Sequence, residues 1–389
     1  MSDEFEEIGP LGCQVAFNIV TKEDGRQSYQ VSFRLVSDLP ARVIRVIAVY
    51  AFHGEPVGPA LLGGAGQLSS PPPFPGCFPV WIACDSEGQF GHQCPVCNGY
   101  WRSGPYPSVC PYCAIVEQPH RFLSESQRRY VRHYCKVLST ALESVEDDEV
   151  VIDMDEVAEV VSKEGGKPTF YMSEQSQQQK FNCVACGEFN DILGRFGYCS
   201  SCGTRNDLAL FEGQTVLTIR ERLNSSGSPE NCVRDGVASF ESFIGQYAKQ
   251  LAREVPMTER RRKRLSKQRF HNLGEVKTIF EDWFDIDIFA DTKEDERRFV
   301  DRMFHRRHVY EHNGGEADQK YIDDSGDTTV RLKQHLCETL QDVHKLLSLL
   351  VKMARNIHNA FHELLPPIPE PIKAFEDKKA QMEKHQSAS

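Results

Sequence analysis

The sequence predicts a multidomain α+β protein: a β-rich N-terminal module, two four-cysteine metal modules and a C-terminal all-α bundle. Three observations carry that prediction. Apolar residues alternate at a spacing of two near the N-terminus, eight of the 14 cysteines fall into four Cys-x-x-Cys pairs, and apolar residues recur every three or four positions beyond Cys232. The 389-residue length accommodates several domains, and 40% apolar with 26% charged residues describes a soluble globular chain rather than a disordered one.

In the first segment, residues 1–78, Val15, Phe17 and Ile19 mark one strand and Tyr29, Val31, Phe33 and Leu35 a second, with Asp24-Gly25 as the turn between them. Val43 to Tyr50 reads as a third, more continuously apolar strand, followed by a Gly/Pro-rich loop from Gly54 to Pro79. No catalytic motif lies here. Residues 79–142 hold the first cysteine cluster and a closing helix that carries His120, Arg121, Arg128, Arg129 and Arg132. Residues 143–180 read as an acidic linker: ten carboxylates and one lysine between 143 and 164 repel one another, with Val157, Val160 and Val161 as a short helical patch. Residues 181–224 hold the second cluster, closed by the break from Asn224 to Pro229.

Residues 232–365 are helical by period. Val237, Phe240, Ile244, Tyr247 and Leu251 share one face, and Leu273, Val276, Phe280 and Trp283 another. Phe299, Val300, Met303 and Phe304 mark a third helix with Thr292 as its N-cap. The last helix runs from Leu336 to Phe361, until Pro366-Pro367 stops it and residues 366–389 follow as a flexible polar tail.

The net charge of −11 argues at face value against broad attraction to nucleic acid, but the acidic linker carries most of it. Residues 232–365 contain 23 basic and 23 acidic side chains. No apolar run reaches membrane-span length and Met1-Ser2-Asp3-Glu4 does not begin a signal peptide, so a cytoplasmic, reducing compartment and no membrane partner are expected.

Cys94, Cys97, Cys110 and Cys113 form one set, and Cys183, Cys186, Cys199 and Cys202 repeat its spacing. Two such knuckles brought together complete a tetrahedral thiolate site, and both sets resemble zinc ribbons. Two structural Zn²⁺ ions are expected and no catalytic one, because four cysteines leave no open coordination position. Tyr100, Trp101, Arg102 and Tyr106, with Arg195, Phe196 and Tyr198, either stack on bases or cover the metal. Cys13, Cys77, Cys84, Cys135, Cys232 and Cys337 read as buried inert thiols, and Cys84 with His92 as alternative ligands that the complete quartets make unnecessary.

The run Arg306-Arg-His-Val-Tyr-Glu-His-Asn-Gly-Gly315 carries the most chemistry. Arg307 and His312, five apart inside an all-helical domain, resemble the R-x4-H signature of the HEPN superfamily, and Asn313-Gly314-Gly315, Asp318 and Tyr321 resemble its bacterial defence and toxin versions. The resemblance covers 232–365 and implies a ribonuclease that works as a dimer, with an RNA substrate and control by a partner or trigger. His312 suits general acid–base work near neutral pH, Arg307 offers a fork for phosphoryl oxygens, and His308 is an auxiliary contact. Cleavage by a 2′-hydroxyl needs no metal and spares DNA. Residues five apart on one helix diverge by about 140°, so a single copy forms no obvious compact site.

Other readings stand beside this one. His305, His308 and His312 share a stripe that could hold a metal; Arg297, Arg298, Arg302 and Arg306 could form a solvated basic face; and the fold could be inactive. Arg302, Arg306 and Asn313 are candidate RNA contacts, as is the run Arg260, Arg261, Arg262, Lys263 and Arg264 with Lys267 and Arg269, whose alternative is a solvated helix start. The acidic segment could act as a phosphate mimic. The rival to a metal-independent endoribonuclease is a non-catalytic zinc-ribbon adaptor, binding nucleic acid or protein, with a dimerising helical domain.

Overall fold

The computed structural model describes residues 6–10, 14–34, 45–60, 62, 68, 70–143, 149–153, 156–157 and 173–387. Cys13, Leu35, Val43, Val160, Val161 and most of the acidic segment lie outside the described residues. The fold is mixed α+β, with β-sheets toward the N-terminus and helices toward the C-terminus. It divides into two compact units: Met1–Thr204 together with Ile368–Ser389, and Arg205–Pro367.

The first unit contains twelve described strands: β1 (Glu7–Pro10), β2 (Gln14–Thr21), β3 (Gln27–Arg34), β4 (Val46–Phe52), β5 (Glu55–Ala60), β6 (Phe78–Ala83), β7 (Phe90–Gln93), β8 (Tyr100–Ser103), β9 (Glu149–Ile152), β10 (Ser173–Gln175), β11 (Gln179–Asn182) and β12 (Phe189–Ile192). The β2–β3 hairpin turns as the sequence predicts, with Gly25 at φ +79° and the Asp24 carboxylate accepting from the Arg26 N–H. Val15, Phe17 and Ile19 are buried, and β4 is buried on both faces, as its unbroken apolar run requires. Helix α1 (Glu125–Glu143) lays Tyr130, Tyr134 and Leu138 on that core.

Part of the acidic stretch is structural. Glu149–Ile152 forms β9, which pairs antiparallel with β2, and Val157 is buried in the same core. Apolar Val150 and Ile152, with Val157, supply the burial that a purely acidic linker lacks.

The two cysteine modules, separate by sequence, share one sheet in the order β11-β12-β8-β7. Asn190, Asp191 and Ile192 pair with Ser103, Arg102 and Trp101 across the junction. At its centre Arg102 is 0% exposed, its guanidinium donating to Asp85 at 2.8 Å and Asp191 at 2.6 Å. A charge so buried persists only when its donors are matched, as here by Asp85, Asp191 and Glu87.

Residues 366–389 were expected as a flexible tail, but Pro369–Ser387 is a helix. Pro369 stands at its first position, where a missing N–H costs nothing, and Ile372 and Phe375 anchor it on the second cysteine module.

The second unit is all-helical: α2 (Asp207–Leu210), a π-helical stretch Phe211–Val216, α3 (Leu217–Asn224), α4 (Pro229–Glu254), α5 (Glu259–Lys267), α6 (Leu273–Phe284), α7 (Glu294–His312), α8 (Gln319–Ser325) and α9 (Leu340–Leu364). The C-terminal tail helix above is α10. Ser228, Thr258, Asn272, Asp318 and Thr339 cap five of these helices, each side chain accepting the N–H three residues on. Long helices α4 and α9 form the spine, with Gly236 letting Leu347 approach, Phe240 stacked on Phe243 and Tyr247 tilted against Phe243 along α4.

Three boundaries differ from the sequence reading. Residues 207–224 belong to this unit and not to the second cysteine module, because the π-helical stretch interrupts the 3.6-residue period. Thr292 does not cap α7. Its carbonyl accepts from Arg297, while the Glu296 carboxylate accepts the Lys293 N–H instead. The last helix starts at Leu340 and leaves Leu336 before it, because Thr339 takes the Asp342 N–H.

Candidate metal centres and candidate active site

Each cysteine quartet converges to within 4.8 Å. Across the first, Cys94 and Cys113 sulfurs are 3.5 Å apart and Cys97 and Cys110 3.7 Å; across the second, Cys183–Cys202 is 3.7 Å and Cys186–Cys199 3.5 Å. A tetrahedron with Zn–S bonds of about 2.3 Å has sulfur edges of about 3.8 Å, so both quartets fit an ion of zinc's size and softness. The knuckle amides of Val96 and Cys97 donate to Cys94 Sγ, and Asn190 to Cys199 Sγ, orienting the sulfurs.

Of the ribbon aromatics, Trp101 packs against Cys94 and Cys110 of the first quartet. Trp101 is buried against Phe122, Tyr198 is buried, and Tyr100 hydrogen-bonds Glu174. Arg195 lies over the Phe196 ring, and Tyr106 is the most exposed of the group named from the first ribbon. Cys84 takes an N–H from Arg45 and His92 bonds the Gly104 carbonyl, so neither joins a quartet. Cys135 and Cys232 are buried as expected; Cys337 is exposed and Cys77 half-buried, contrary to the reading of six buried thiols.

In the helical unit, α7 buries Phe299, Val300, Met303, Phe304 and Val309. Its other side faces a cleft of about 510 Å³ lined by Glu241 and Ser242 of α4, by Gln268 to His271 of the α5–α6 connection, and by Arg307, His308, Glu311 and His312. A smaller cleft of about 210 Å³, lined by Asn272, Asp301, His305, Lys320 and Asp324 among others, shares His271, Arg307 and His308 with it. Arg307 and His312 thus line one cleft within a single copy despite their angular separation.

Arg307 Nη2 donates to Glu241 at 3.3 Å, and its Nε stands 3.1 Å from Glu311 as an ion pair without hydrogen-bond geometry. Burial pushes the Glu241 carboxyl up, against the pull of Arg307 and His271. The His308 and His312 rings are 4.6 Å apart, and burial, then His312, Lys320 and Arg307, pull His308 below the usual histidine range. Asn313, Gly314 and Gly315 end α7: Gly314 and Gly315 take φ +59° and +87°, and Asn313 Nδ2 bonds the Asp318 carboxylate at 2.7 Å.

Of the predicted site residues, Arg307, His308 and His312 come together. Arg306 does not join them. It donates to Glu338, Asp327 and Tyr321 in a half-buried network, because one step along a helix turns about 100° away from Arg307. Arg302 packs over Phe299, and Asn313 is spent on the cap. Arg261 and Arg264 flank the Trp283 ring at 5.5 and 5.4 Å; Arg262 bonds Ala252 and Glu259, Lys263 pairs with Glu259, and Arg260 is exposed. This run is helix α5, and none of the five residues lines either cleft. His305, His308 and His312 do not converge as a metal site; among the described residues only the two cysteine quartets do.

Glu241, Glu311, Gln268, Phe270 and His271 are cleft residues that the motif did not single out. Glu311 was legible as the i+4 partner of Arg307, whereas Glu241 and the 268–271 connection reach the cleft only through tertiary packing. Comparison with protein-family models, curated proteins and solved structures finds no match to this chain.

Proposed function

We propose that the helical unit is a metal-independent endoribonuclease of HEPN type and that the two quartets hold structural zinc. The observation that supports this most is one cleft lined by Arg307, His308 and His312, with His271 facing them from the α5–α6 connection. His312 takes the proton of a ribose 2′-hydroxyl, whose oxygen attacks the adjacent phosphorus. Arg307 steadies the charge on the phosphoryl oxygens, and the departing 5′-oxygen receives a proton from an imidazole of the same cleft. The products are a cyclic phosphate and a free 5′-hydroxyl. At rest Glu241 and Glu311 hold the Arg307 fork, so an incoming phosphate must displace a carboxylate.

The test is RNA cleavage by full-length protein in excess chelator. Arg307→Ala and His312→Ala are each expected to lower the rate at least about 100-fold, and a 2′-deoxy residue at the scissile position to abolish it. Equal cleavage by wild type and both variants would sink the proposal. A second reading, a non-catalytic adaptor whose helical domain dimerises, draws support from that same carboxylate hold on Arg307. It predicts RNA binding without cleavage and no dependence on His312. Dimerisation belongs to both readings and is measured by sedimentation with and without RNA, whereas control by a trigger or partner belongs to the ribonuclease reading.

A further inference from the structure

The two cysteine quartets are built alike, yet among the described residues only the second carries an α-helix across its knuckle. The residue four places after the first cysteine of each knuckle has positive φ: Asn98 and Gly187 in corresponding places, at +57° and +73°. A Cβ on Gly187 would run into the Phe375 ring of α10. Ile372 packs with Cys183, Cys199 and Cys202, and the Ile368 N–H donates to the Cys202 carbonyl at 2.8 Å. Ile368, Ile372 and Phe375 follow the i, i+4, i+7 spacing of a helix laid in a groove. The accessibility of the sulfurs follows this difference: Cys97 is exposed, whereas its counterpart Cys186 is half-buried.

We propose that the knuckle face of the second ribbon is a helix-docking surface whose occupant is this chain's own segment 368–375, and that docking and metal retention at Cys183, Cys186, Cys199 and Cys202 reinforce each other. The inference does not rest on the ribonuclease reading. The metal fixes both knuckles, and with them the groove and the Cys202 carbonyl that receive the helix. The helix in turn keeps water and chelators from the thiolates. Such linkage is reciprocal at equilibrium: whatever factor the metal adds to docking, docking adds to metal affinity.

The test uses the full chain loaded with two equivalents of zinc and challenged with excess EDTA. Ile372→Asp and Phe375→Ala are expected to speed the loss of one equivalent by about fivefold or more, the low end of usual coupling, and to leave the other unchanged. Loading with ¹¹³Cd assigns the site: one of two cadmium resonances should shift in the variants, and the unmoved one reports that the shared sheet is still folded. A chain ending at Pro367 should lose the same equivalent fast and recover slow loss when a synthetic 368–387 peptide is added. Unchanged release in both variants, equal shifts of both resonances, or no rescue by the peptide would each overturn the proposal.

Discussion

Ala114 stands at φ +56° in the same place within its knuckle as Gly203 does in the second ribbon, at +80°. An alanine in the left-handed region costs about 1 kcal/mol, so Ala114→Gly should stabilise the metal-loaded protein by about that much, read as a higher urea midpoint. Gly203→Ala should do the reverse. His358 offers a second test. It bonds Tyr247 Oη at 2.7 Å and faces His362 and Arg205, the latter paired with Asp207. Burial first, then His362 and Arg205, push its pKa down to about 3. The unfolded chain takes up this proton near pH 6.5 and the folded one does not, so stability is full above 6.5 and falls from there toward pH 3. The loss attributable to this residue should be about 2 kcal/mol once its partial exposure is discounted. Urea midpoints measured across that window in wild type and His358→Gln check it; the variant should show a shallower slope.

At the level of elements, α7 separates two neighbouring arginines into different roles. Arg306 ties α7 to α8 and to Glu338, and hydrogen bonds from Thr329, Tyr321 and Arg306 overcome burial to hold Asp327 far below the usual carboxylate range. Arg306→Ala strands two acidic groups, and a destabilisation of about 3 to 5 kcal/mol is expected in thermal or urea unfolding. Arg307→Ala, at a partly solvated pair, should cost about 1 kcal/mol or less, so its loss of RNA cleavage would report chemistry rather than unfolding. The sequence could not make that distinction, since Arg306-Arg307 is a dipeptide whose members differ only in what tertiary packing brings opposite them. The periodic helices, the cysteine quartets and the first hairpin were legible because each is written in local spacing. Residues 207–224 were not, because a π-helical stretch changes the period midway. Nor was β9, whose partner β2 is remote in the chain and whose neighbours are acidic.

The whole molecule is one unit inserted into another. Residues 205–367 have their own core, and the Arg205 N–H donates to His362 Nε2 at 3.2 Å, so the two ends of the insert lie close together. Expressed alone, this segment should melt cooperatively with a helical circular-dichroism spectrum. In the full chain, removal of metal should abolish one calorimetric transition, that of the shared cysteine sheet, and leave the helical one in place. The order in which the chain is made gives this arrangement a further consequence. During synthesis β8 emerges with its edge unpaired and must wait for β12, so the nascent first ribbon presents an open edge strand, a recognised route to misassembly. The insert can fold as soon as it clears the ribosome, whereas the host unit is completed only when the segment beginning at Ile368 is released. A chain cut short before Ile368 would therefore contain a finished helical unit and an unfinished host.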